Sequence, residues 1–229
     1  MLEDAPLVTV RRNTPRPSAE QVAAIAGAPT GFVVDALGGR GAMGPAVKPV
    51  IAGQSDFCGV AVTCHTGPAD NLALLAALPL LQPGDVAVVA TDGYVQTAVV
   101  GDLVLQMAKN RGAAALVTDG AVRDTPGIRH VGLPCFATAV TPNSPAKNGP
   151  GVVNEPVVLA GLTVAAGDIV VGDVDGVVVV PHARIDAVIA KLHDVRRAEA
   201  EMLAKVEGGL GVPAYIEDMY ASGKVREIG

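Results

Sequence analysis

Short runs of Val, Ala, Leu and Ile, each opened or closed by Gly and Asp, most constrain what this chain can become. "PGDVAVVATDG" (83–93), "AAALVTDG" (113–120) and "AGDIVVGDVDGVVVV" (166–180) show no apolar/polar alternation within their aliphatic stretches. Such runs read as buried strands. Helical patterns stand between them, and strands alternating with helices predict an α/β chain built in layers. Half of the residues are hydrophobic but only 3% are aromatic, which suits a tight interior of small aliphatic side chains. A length of 229 residues supports one substantial core. The first and third runs share Gly-Asp, an aliphatic strand and Asp-Gly; this is either a turn–strand–turn unit used twice or a common way to begin a strand. No period repeats often enough for a solenoid.

Local signals divide the chain further. Ser18 and Gln21 form a capping-box pattern that opens a helix to about Ala26. Thr30 is positioned to cap a short helix, "GFVVDALG", which stops at Gly38–Gly39. "CGVAVTCH" (58–65) reads as a strand. Asp70 or Asn71 caps "LALLAALPLL" until Pro79 intervenes. The helix expected over 102–111 carries Leu103, Met107 and the Val104/Ala108 pair on one stripe, with Gly112 as its stop. "LPCFATAV" (133–140) reads as one strand and "TPNSPAKNGPG" (141–151) as a turn-rich loop. A long helix follows over about Ala183–Glu207, then a short one in "PAYIEDMYASG".

Several function classes are disfavoured. The net charge is −6 and no basic cluster carries interleaved aromatics, so a nucleic-acid partner is not expected. The N-terminus is acidic and then basic with no apolar core, unlike a signal peptide, and Asp or Gly interrupts every apolar run before it reaches membrane-spanning length. No membrane partner is expected. Cys58, Cys64 and Cys135 are odd in number and match no zinc spacing; they read as buried free thiols in a reducing cytoplasm. His65, His130, His182 and His193 form no metal pattern. Asp173 and Asp175 read as a strand–strand turn with Gly176. "GGRGAMGPAV" lacks both a Walker ending and a GxGxxG leading into a helix, which weighs against a nucleotide or methyltransferase cradle.

The pair most suggestive of chemistry is Gly101–Asp102 and Arg123–Asp124, separated by the twenty residues 103–122. A helix N-terminus at 101–104 presents unpaired amides and partial positive charge, a cradle for a small carboxylate. Asp102 equally suits a first helical turn that binds nothing. The second pair follows a buried strand, where ligand sites of open α/β sheets gather. Arg123 can hold a carboxylate or an enolate oxygen, and Asp124 a hard divalent cation. A solvated turn with a local ion pair remains the alternative.

Gly-Asp/Glu, twenty residues and Arg-Asp, together with "LVTDGAVRDTPGI", "GLPCFATAVTP" and "GDIVVGDVDGVVVVP", resemble the 4-hydroxy-4-methyl-2-oxoglutarate / 4-carboxy-4-hydroxy-2-oxoadipate aldolases. These are class II pyruvate aldolases that share a fold with the regulators of ribonuclease E activity. The resemblance covers roughly residues 20–210. It implies a layered α/β/β/α sandwich of the phosphohistidine-swivelling-like type. The chain then divides into an N-terminal arm (1–18), the aldolase domain (19–210) and a C-terminal helix and tail (211–229).

It implies, further, a homotrimer or homohexamer with active sites at subunit contacts and Mg2+ or Mn2+ as cofactor. Asp124 would bind the metal directly; Asp102 and Glu199 would reach it through water. Arg123 would contact the keto and carboxylate oxygens of pyruvate, whose carboxylate also meets the amides of Gly101, Asp102, Leu103 and Val104. The glutamate comes from a neighbouring subunit's C-terminal helix, with Glu199 as the match and Glu201 close beside it. Asn71 and Lys147 are candidates to meet the distal carboxylates of the substrate; an ordinary helix cap and an exposed loop lysine are the alternatives.

Retro-aldol cleavage of a 4-hydroxy-2-oxo acid leaves a pyruvate enolate, so a cation and an arginine aimed at the former keto oxygen match the developing charge. Decarboxylation of oxaloacetate, a β-keto acid, would follow as a side activity of the same site. Two rivals stand beside this reading: a non-catalytic protein that masks a ribonuclease, and a dedicated oxaloacetate decarboxylase.

Overall fold

The aliphatic runs lie side by side. In the computed structural model, which describes residues 6–229, Phe57–His65, Asp85–Ala90, Ala115–Thr118 and Cys135–Ala137 run parallel in the middle of a nine-stranded sheet. The first five residues of the expected N-terminal arm lie outside the described residues; farther along it, Val8–Val10 forms an edge strand beside Gly151–Val153. The hairpin Ile169–Asp173/Gly176–Val180 pairs antiparallel with the first half of Phe57–His65.

Alternate residues of each central strand enter two different cores, which is why the runs contain no polar positions. Ala87, Val89, Leu116 and Cys135 face one core, with Leu74, Leu105 and Ile128 supplied by the helices Leu72–Ala77, Asp102–Asn110 and Thr125–Val131. Val86, Val88, Val117 and Phe136 face the other, against Met43, Val157, Leu159 and Val179. Phe136 is fully buried and meets Phe57 edge-on, with ring centroids 5.4 Å apart. The result is the layered α/β arrangement expected from the sequence.

Three short parallel strands, Ala98–Val100, Ala121–Val122 and Ala139–Val140, form a separate small sheet. The run expected as a single strand over 133–140 is thus split between two sheets. Thr138 makes the break: its hydroxyl donates to the Asp119 and Gly120 carbonyls (2.7 and 3.0 Å), turning the chain from one sheet to the other.

Other local expectations need correction. Pro29, not Thr30, occupies the cap of the helix Thr30–Ala36. Thr30 is its first residue, and donates both N–H and hydroxyl to the Asp173 carboxylate (2.8 and 2.9 Å). Asn71 occupies the cap position of the helix Leu72–Ala77 as expected, while the side-chain bond comes from Asp70, which accepts the Leu72 N–H (2.8 Å). On Asp102–Asn110 the buried stripe is Leu105 and Ala108, whereas Leu103 and Met107 are 73% and 48% exposed. The capping box at Ser18–Gln21, the stop at Gly112 (φ +84°) and the long helix Ile185–Glu207 form as expected.

Asp173 joins the hairpin turn to that short helix. Partial burial works to raise its pKa, but hydrogen bonds from the Thr30 N–H and hydroxyl and from Asp175 outweigh it, leaving the value lowered. A lowered folded-state pKa contributes stability that is fully present above the unfolded value of about 3.9 and is lost as pH falls through the folded one. Asp173→Asn, whose amide cannot accept all of these donors, should cost about 1 kcal/mol at pH 7. Urea unfolding of the two proteins should show the gap closing toward pH 3.

The three cysteines are free. Burial pushes the Cys58 thiol to about 11 and Cys135 to about 12, and raises Cys64 as well, so none is poised as a nucleophile. Contacts within the chain define one compact unit ending at Leu192 and another over His193–Gly229, which holds most of the long helix and the helix Ala214–Ala221. No described helix is long and apolar enough to cross a membrane.

Candidate active site

The small sheet turns the twenty-residue interval into a distance in space. Val100 pairs with Val122 in parallel register, and the Arg123 N–H donates to the Val100 carbonyl (3.0 Å). Gly101 and Arg123 are therefore the first residues beyond the carboxyl ends of two adjacent strands. The chain leaves through the helix Asp102–Asn110, returns through Ala115–Thr118, and comes back to its starting point at Ala121–Val122. The third strand adds to the same end: Thr141 follows Val140 and donates to the Val122 carbonyl (2.9 Å) before the loop that carries Ser144 and Lys147.

Two glycines make room for the functional side chains. A Cβ on Gly101 would stand 2.6 Å from Asp124 Oδ2 and 3.2 Å from both Cγ and Nε of Arg123. A Cβ on Gly127, in the first turn of Thr125–Val131, would collide with the Asp102 carboxylate. Asp124 has left-handed backbone angles (φ 59°, ψ 43°), uncommon for a residue with a side chain, and its carboxylate makes no cap to the helix it precedes. Instead Oδ2 lies 3.3 Å from Arg123 Nε. Arg123 Nη1 donates to Ser144 Oγ (2.5 Å), which fixes the guanidinium from the opposite side. Asp102 Oδ1 accepts the Leu103 N–H (2.7 Å), leaving the Asp102 and Val104 amides without intrahelical partners.

These groups line one cavity of about 410 Å3. Its wall holds Gly101, Asp102, Leu103, Val104, Arg123 and Asp124, and also Asn71 and Lys147. The side-chain amide of Asn71 donates to the Val99 carbonyl (3.1 Å), and its buried Oδ1 has no partner. The group it has to spare is an acceptor, suited to a hydroxyl rather than to the carboxylate expected from the sequence. Lys147 is exposed, with its loop tied down by Asp70, which accepts from the backbone of Leu72, Asn148 and Gly149. Sequence reading missed Ser144, Asp70 and Gly127; only Asp70 carried a signal there, as a helix cap. Glu199 and Glu201 are exposed on the helix Ile185–Glu207, within the unit His193–Gly229.

The donor set can be tested against a divalent ion. Among the described residues no three His, Cys, Asp or Glu side chains cluster. The cavity wall offers two carboxylates, and Asp124 commits only Oδ2 to Arg123. One or two carboxylates with several retained waters suit Mg2+ or Mn2+, whereas structural zinc demands four protein ligands. The residues present fit the hard cation.

Residues 29–179 match the RraA-like family, described as Aldolase/RraA. The chain belongs to that family. Within the RraA-like proteins it is 35% identical over 192 residues to a Halalkalibacterium halodurans protein provisionally named a 4-hydroxy-4-methyl-2-oxoglutarate aldolase, covering 83% of this chain and 91% of that one. Solved RraA-like structures include Streptomyces coelicolor RraAS2, an unusual member of the RNase ES inhibitor RraA family. It aligns with a TM-score of 0.73 at 29% identity, over 83% of this chain and 100% of that one. The RNA-processing inhibitor RraA of Thermus thermophilis aligns with a TM-score of 0.62 at 30% identity, over 67% and 93%. The sandwich fold is therefore shared by proteins named for two different activities.

Proposed function

We propose that this RraA-like protein is a divalent-metal-dependent pyruvate aldolase. It would cleave 4-hydroxy-4-methyl-2-oxoglutarate to two molecules of pyruvate, or 4-carboxy-4-hydroxy-2-oxoadipate to pyruvate and oxaloacetate. The observation that carries this reading is the single cavity shared by a helix N-terminus, Arg123, two carboxylates, Asn71 and Lys147. A protein that acts only by surface contact has no need of such a set.

In this reading the substrate's 1-carboxylate rests on the free amides at the start of the helix Asp102–Asn110. The Arg123 guanidinium, steadied by Ser144, faces the C2 oxygen. Asn71 Oδ1 is the acceptor suited to the C4 hydroxyl, and Lys147 the cation for a distal carboxylate. Cleavage breaks the C3–C4 bond. The hydroxyl proton leaves to a water poised by Asp102, the C4 oxygen becomes a carbonyl, and the bond electrons move to the C2 oxygen, giving the enolate, which takes a proton back from that water at C3 to become pyruvate. Asp124 and Asp102 would hold Mg2+ or Mn2+, which when bound stabilises the negative charge developing on that oxygen. The proposal extends to a homotrimer or homohexamer in which Glu199 or Glu201 of the partner subunit joins Asp102, and to oxaloacetate decarboxylation as a side activity.

Pyruvate release from 4-hydroxy-4-methyl-2-oxoglutarate, followed with a coupled dehydrogenase, should appear with Mg2+ and vanish with a chelator. No release would remove the aldolase reading and leave the ribonuclease-regulating one, whereas release indifferent to metal would keep an aldolase and remove the role given to Mg2+ or Mn2+.

A further inference from the structure

A second cavity, of about 440 Å3, has a wall unlike the rest of this acidic chain. It opens between the segment Arg12–Arg16, the turn at 79–82 and the end of the helix Asp102–Asn110. Arg12, Arg16 and Arg111 all line it, and no carboxylate does, although the formal net charge of the chain is −6.

The three arginines differ in what they have left to give. Arg16 is matched: its terminal nitrogens donate to the buried Asp85 (2.5 and 3.3 Å). Arg111 Nη2 donates to the Pro79 and Leu81 carbonyls (3.1 and 3.4 Å), which fix the guanidinium without offsetting its charge. Arg12 has no hydrogen-bond or ion-pair partner among the described residues. A further group on the wall is an unsatisfied acceptor, which a ligand hydroxyl can meet but an anionic oxygen cannot. Asn154, 7% exposed and left-handed (φ 63°), donates its amide to the Arg11 carbonyl, while its buried Oδ1 has no partner. Val62 and the buried Leu81 give the cavity an apolar floor, which strengthens any charge pair formed against it.

Two unmatched guanidiniums on one wall repel each other until a counter-charge enters. Their planar forks favour groups with paired oxygens. We propose that this cavity binds a small, multiply charged oxyanion, a polycarboxylate or a phosphate ester, held by Arg12 and Arg111. The site shares no lining residue with the candidate active site and does not depend on the aldolase reading.

Isothermal titration of the full chain, free of divalent metal, with citrate and with glycerol 3-phosphate tests this. At least one should bind saturably at low salt, and Arg12→Ala should weaken it by about tenfold or more. Arg12→Ala removes no hydrogen bond or ion pair among the described residues. Arg123→Ala, in the other cavity, should leave that binding unchanged. Citrate alone would identify the polycarboxylate class, and glycerol 3-phosphate alone the phosphate-ester class. Binding by neither probe, or binding lost in Arg123→Ala and retained in Arg12→Ala, would overturn the proposal.

Discussion

Arg123→Ala is expected to lower kcat/KM for pyruvate release by roughly 10^2- to 10^3-fold, the usual cost of removing one donor aimed at a developing oxyanion. The loss should fall on kcat more than on KM, because the enolate charge exists only beyond the ground state while the carboxylate keeps its helix amides. The fold should survive: the Arg123 side chain is 36% exposed, and its contacts are Ser144 and the adjacent Asp124. Ser144→Ala is a useful companion, since it loosens the guanidinium without removing its charge and should produce a smaller defect in the same direction. Full activity in Arg123→Ala would end the enolate mechanism.

Much of the fold was legible because strands covered on both faces have a strong signature. Val86–Ala90 and Leu116–Val117 feed two cores at once, and no other element needs so many small aliphatic residues in succession. The small sheet was not legible. Ala121–Val122 and Ala139–Val140 are two residues each, too short for any periodicity to mark, yet their register brings Arg123 beside Gly101. Leu103 and Met107 misled because they are apolar residues of an amphipathic helix that line a cavity instead of filling a core. Chemistry and spacing singled out Asp102, Arg123 and Asp124 only as candidates beside an ordinary helix cap and a solvated ion pair, and the family resemblance chose between those readings. Ser144, whose only signal is a hydroxyl in a polar loop, could not be singled out.

Gly101→Ala tests whether the assembled geometry, rather than the mere presence of these side chains, is what the reaction needs. The glycine's own angles, φ −122° and ψ −174°, are open to any residue, so alanine meets no backbone strain. What it meets is Asp124 Oδ2 at 2.6 Å and two atoms of Arg123 at 3.2 Å. Both neighbours are partly exposed and can swing away, so folding stability should fall by only about 1 kcal/mol, the cost of a poorer cap residue. Activity should fall much further, by about 10^2-fold, because the carboxylate proposed to hold the metal and the guanidinium proposed to face the enolate would shift together by a sizeable fraction of an ångström. Double substitution separates displacement from general damage. In an Asp124→Ala background the closest clash is gone, so adding Gly101→Ala should cost much less than it does alone. Additive losses would mean that Gly101 serves the cap and not the site.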